Sequence, residues 1–113
     1  MEKMTKYREL VKRLLQERAN LSPHSSQSGI EKLLLTDDEH GQYMMLKLGW
    51  ENGVRVQWVT VYVRVKDGRI WLEQDLTEEG IGNALLQAGV PKEDIVAAFH
   101  DPELRQYTEF AAA

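Results

Sequence analysis

Two dipeptides, Asn52-Gly53 and Asp67-Gly68, bracket the twelve residues "VRVQWVTVYVRV" and constrain this chain more than any other feature. Gly and Asn tolerate the positive φ of a primed two-residue turn, and the residues between are β-branched or aromatic at most positions. The stretch 54–65 therefore reads as one long strand with a hairpin at each end. Its alternation has a defect. Val54, Val56 and Trp58 share one phase, whereas Val59, Val61, Val63 and Val65 share the other. A β-bulge near Trp58-Val59 would restore a single buried face; a strand covered on both sides is the alternative. Upstream, "IEKLLLT" (30–36) and "QYMMLKLGW" (42–50) are apolar runs joined by the turn-prone "DDEHG". Downstream, "RIWLEQD" (69–75) closes a meander of four antiparallel strands.

Helical signals flank the meander. Met4, Tyr7, Val11, Leu14 and Leu15 form one stripe at 3.6-residue spacing over residues 2–20. That stripe is expected to cross one face of the sheet, buried through Tyr7, Val11 and Leu14. "LSPHSSQSG" (21–29) breaks the helix and serves as a connector. After the sheet, Thr77 is the expected N-cap of a helix with Ile81, Leu85 and Leu86 on its apolar side, ended by Gly89. Pro91 opens a second short helix carrying Ile95, Val96 and Phe99, with Phe99 buried; Pro102 interrupts it. The order of one helix, four strands and two or three short C-terminal helices is α+β. At 113 residues it forms a single domain, 1–113, long enough to bury about two thirds of its unfolded surface.

Composition removes several function classes. The chain has no cysteine, so disulfides, thiolate chemistry and Cys-based zinc sites are absent. No apolar run approaches the ~20 residues that span a bilayer, and the first fifteen residues lack a signal-peptide core, which points to a cytoplasmic protein with no membrane partner. Residues 1–18 carry six Lys/Arg against three Glu, while residues 73–113 carry nine Asp/Glu against two Lys/Arg. The basic residues of the first helix share no face, and the acidic second half repels phosphates, so no direct specific DNA binding is expected. The acidic half would more readily meet a basic protein surface.

Catalytic signatures are scarce. His24, His40 and His100 lie far apart, and no metalloprotease, nucleophile-elbow, P-loop or EF-hand pattern occurs. "GIGNAL" (80–85) lacks the third glycine of a dinucleotide fingerprint and reads as close helix packing. The plausible metal or catalytic cluster is Asp75, Glu78 and Glu79 at one strand-to-helix junction; the favoured account makes Asp75 a turn residue and the glutamates partners of the helix dipole. Trp71 takes the phase opposite to Ile70 and Leu72, so it lies on the outer face of the sheet. There it serves a second copy in a homodimer, another partner, or the packing of the C-terminal helices. The tail "ELRQYTEF" places Tyr107 and Phe110 on one side of a helical turn, with Arg105 and Glu109 as an exposed pair. So short a turn must dock to be stable. Docking on its own domain is favoured over docking on a partner by effective concentration.

These segments also carry a family resemblance. "GW" with "NGVRV" (49–56), "KDGRIWLEQDLTEEGI" (66–81), "AGVPKEDIVAAFH" (88–100) and "RQYTEFA" (105–111) occur in an order that resembles the XisI family, the fdxN element excision controlling factors of cyanobacteria. The resemblance covers nearly the whole chain and departs at Tyr62, where a histidine is expected in many relatives, and at "DPEL". Tyr62 removes any catalytic role that a family histidine would have there. The resemblance implies a non-catalytic accessory factor without cofactor or metal. It would act with an XisH-like protein, itself similar to restriction-endonuclease-like folds, in excision of a DNA element during heterocyst differentiation. A separate recombinase would perform the strand chemistry. An antitoxin-like inhibitor of a nuclease-like XisH partner is the alternative within the same class, and a metal-dependent enzyme built on Asp75, Glu78 and Glu79 is the alternative of another. Candidate partner contacts are Trp71, Asp75, Glu78, Glu79, Arg105, Tyr107, Glu109 and Phe110.

Overall fold

In the computed structural model the two dipeptides bend as their chemistry requires. Asn52, Gly53, Asp67 and Gly68 have φ values of 52°, 77°, 53° and 75°, the left-handed pair of a primed hairpin turn in each case. The structure describes residues 2–21, 29–77, 80–100, 103 and 110–111. Helix α1 (Lys3–Leu21) precedes strands β1 (Ile30–Asp37), β2 (Gln42–Glu51), β3 (Val54–Lys66) and β4 (Arg69–Asp75), all antiparallel to their neighbours. Among the described residues α2 (Ile81–Gln87), a 3-10 turn at Lys92–Asp94 and β5 (Ile95–Ala97) follow.

The fifth strand corrects the four-strand expectation and displaces the second short helix. β5 runs parallel to β4, with Ile70, Trp71 and Leu72 opposite Ile95, Val96 and Ala97, so the sheet is mixed and ordered β1-β2-β3-β4-β5. All three β5 residues are buried, as in a parallel strand covered on both faces. Such a run has no alternation, and its apolar residues read equally well as a helical face. Helix α2 thereby becomes the crossover of a β4-α2-β5 unit. Phe99 is corrected as well. It leaves the strand 49% exposed, its ring tilted against that of His100 with centroids 4.5 Å apart.

The bulge lies at Thr60, beside the expected place. Met45 pairs with Val61 and Leu46 with Val59, which leaves Thr60 unopposed; its hydroxyl donates to the Met45 carbonyl at 3.3 Å. Val56, Val61, Val63 and Val65 then share one buried face with Tyr43, Met45, Ile70 and Leu72. A second shift, between Tyr62 and Val63, leaves Glu73 as the extra residue of β4. Helix α1 crosses the inner face over β1 to β4. Tyr7, Val11 and Leu15 are buried and Leu14 only partly so, which turns the stripe slightly from the expected Tyr7-Val11-Leu14 line. Ile81 and Leu85 of α2 join the same core.

Candidate functional site

The Asp75 junction is a folding device. One carboxylate oxygen accepts hydrogen bonds from the Thr77 backbone N–H (3.0 Å) and hydroxyl (2.5 Å). The other accepts the Ile81 N–H, the first of α2, at 2.6 Å. Helix α2 starts at Ile81 with Gly80 at φ 81° as its N-cap, which corrects Thr77 from cap to turn residue. The Thr77 hydroxyl accepts from the Gly80 N–H at 3.2 Å. A carboxylate so occupied is a poor metal ligand. Glu78, Glu79, Arg105, Tyr107 and Glu109 lie outside the described residues. Among the described residues no group of three or more His, Asp or Glu is placed to hold a metal ion, and no helix is long and apolar enough to cross a membrane.

Phe110 packs partly buried against the core of its own domain. The Ala111 N–H donates to the Ile95 carbonyl at 2.8 Å, and Ala111 bridges Val96 in parallel fashion beyond the edge of β5. Gly82 makes room for it: a Cβ there would stand 2.7 Å from Phe110 Cζ and 3.3 Å from a Leu72 methyl. The "GIGNAL" glycine thus permits close approach, as its reading as helix packing requires.

Trp71 lies on the outer face, its indole N–H donating to the Lys66 carbonyl at 3.2 Å. The Lys66 ammonium sits 4.5 Å from the ring centroid in a cation–π contact. Tyr62, on the same face, donates to Gln42 at 2.9 Å. Two exposed apolar residues that sequence reasoning missed stand on the inner side of the β2–β3 hairpin: Val54 (63%) and Trp58 (49%). Their phase was legible; their position outside the area covered by α1 was not.

The N-terminal helix is tied to the C-terminal segment by charge. The Tyr7 hydroxyl donates to Asp94 at 2.5 Å, and Lys3 Nζ lies 2.9 Å from the same carboxylate. Burial, reinforced by Asp94, pushes the Tyr7 phenol from 10.0 to about 12. Burial alone would raise Asp94, but the hydrogen bonds from Tyr7 and Lys3 outweigh it and hold the carboxyl below its ordinary value. A raised Tyr7 contributes stability that is complete below the unfolded value and fades as pH rises from 10.0 through about 12. A lowered Asp94 contributes stability present above about pH 4 and lost as pH falls through its folded value. Tyr7→Phe is expected to cost about 1 kcal/mol at neutral pH. Urea unfolding above pH 10 should show the two proteins converging; an unchanged gap there would mean that the fold does not hold the phenol protonated.

The sequence matches the XisI protein family over residues 1–112. The chain belongs to the XisI family. Two solved structures from Anabaena variabilis share its fold and 36% of its sequence. A XisI-like protein superposes with a TM-score of 0.89, covering 97% of this chain and 99% of its own. The fdxN element excision controlling factor XisI superposes with a TM-score of 0.86, covering 99% and 100%. No curated protein matches the sequence.

Proposed function

We propose that this XisI-family protein is a non-catalytic accessory factor that binds an XisH-like protein and helps to control excision of an fdxN-type DNA element. The similarity to a solved excision controlling factor supports the setting. The observation that carries the non-catalytic reading is the internal use of Asp75, whose oxygens serve Thr77 and Ile81. Three of the six basic residues of α1 are likewise engaged within the chain: Lys3 with Asp94, Lys12 with Asp38 and Arg13 with Glu17. That arrangement favours contact with protein over contact with phosphates. Trp58 and Val54 offer a partner an aromatic anchor and an aliphatic neighbour, the kind of pair that dominates binding energy at interfaces.

The test is capture of the purified XisH-like protein by this chain. Wild type should bind, and Trp58→Ala combined with Val54→Ser should weaken binding by at least about tenfold while the melting temperature stays within a few degrees. Equal binding by the variant would remove this surface from the reading. No capture by the wild type would remove the partner.

A further inference from the structure

We propose that two copies of this chain pair face to face through the outer surface of the sheet, about a two-fold axis parallel to the strands between β2 and β3. The outer phase carries Leu33 and Leu35 on β1, Met44, Leu46 and Leu48 on β2, and Val59 and Tyr62 on β3. Leu35 is 54% exposed and the rest of this set is partly exposed. Helices α1 and α2 both pack on the inner face; the outer side is closed at β5, where Val96 is buried beside Trp71, and stays partly exposed over β1 to β3. Four strands about 4.8 Å apart and about eight residues long make a rectangle of roughly 500 Å². That is comparable with the largest patches monomers expose, which are often functional, and two such faces reach the ~1,000 Å² a specific interface needs.

The charges on the face select a second copy and its orientation. Glu31 and Asp37 stand on the β1 side, Asp37 with its carboxylate on the His40 backbone N–H and ring; Arg64 and Lys66 stand on the β3–β4 side, Arg64 beside Glu73 at 3.5 Å and Lys66 over Trp71. A two-fold axis perpendicular to the strands lays each β1 over the other β1 and brings the acids together. An axis parallel to the strands lays β1 over β4 and β2 over β3. Row by row, Leu46 then meets Val59, and Met44 meets Tyr62. Asp37 meets the Lys66 ammonium, because its row runs through Gln42, Arg64 and Trp71. Leu76, 64% exposed, continues β4 through its N–H bond to the Thr60 carbonyl and falls opposite Leu33. Such a surface complements itself in shape class and in sign, as an isologous interface must.

Light scattering and sedimentation equilibrium of the full chain at tens of micromolar should give a dimer. Leu46→Glu places a carboxylate beside the axis and should give a monomer, with helix and strand content retained by circular dichroism. Asp37→Lys and Lys66→Asp should each weaken dimerisation by about tenfold, and the double variant should recover most of the loss. A wild-type monomer at high micromolar concentration, or a dimeric Leu46→Glu, overturns the interface. Failure of the charge-swapped double variant to recover overturns the axis.

Discussion

Phe110→Ala is expected to lower stability by about 2–4 kcal/mol, in the range for truncating a core aromatic that is only partly buried. For a domain of this size that is a fall of about 10 °C in melting temperature. The ring fills the space above Gly82, which has no side chain to replace it, and a Leu72 methyl borders the same space. Gly82→Ala should destabilise for the converse reason, since the added methyl collides with the same ring. The two changes share one contact, so their effects should not add: Gly82→Ala should cost much less in the Phe110→Ala background. Thermal melts of the four proteins check this. A Phe110→Ala protein that melts with the wild type would mean that the tail does not support the domain.

Asp75→Ala should cost about 2–3 kcal/mol, because it strips the Thr77 N–H and hydroxyl and the Ile81 N–H of a charged acceptor together. Asp75→Asn should cost less than the alanine change, since an amide oxygen still accepts while its NH₂ cannot. Magnesium or manganese at millimolar concentration should leave the wild-type melting temperature where it is. A ligand that binds the folded state raises that temperature by mass action, so a clear rise with either ion would restore the metal-enzyme reading. The comparison separates a structural carboxylate from a catalytic one: both are sensitive to substitution, but only the second answers to the ion.

Local chemistry made the meander and the first helix readable. Positive φ is cheap at Asn-Gly and Asp-Gly, so the turns at residues 52–53 and 67–68 locate the hairpins before any packing is considered. The defect in β3 alternation announces a bulge because a strand has a side-chain period of two and the core has one side. The outer position of Trp71 follows from the same rule, applied to Ile70 and Leu72. Family kinship is legible for a related reason, since the segments that carry it, 49–56, 66–81, 88–100 and 105–111, are runs of consecutive residues, and the family match spans residues 1–112.

Contacts between segments distant in the chain decided the rest. Ile95-Val96-Ala97 became a strand because the edge of β4 offered it hydrogen bonds, a partner that no window around residue 95 contains. Thr77 lost the cap position to Gly80 because Asp75 reached the Ile81 N–H from the end of a neighbouring element. Whether Phe110 served the domain or a partner depended on the hollow over Gly82, formed only when α2 lies on Leu72. Periodicity and turn chemistry are properties of consecutive residues and survive in the sequence alone. Strand edges, hollows and shared hydrogen-bond acceptors belong to pairs of segments, and their energies appear only once the chain has folded.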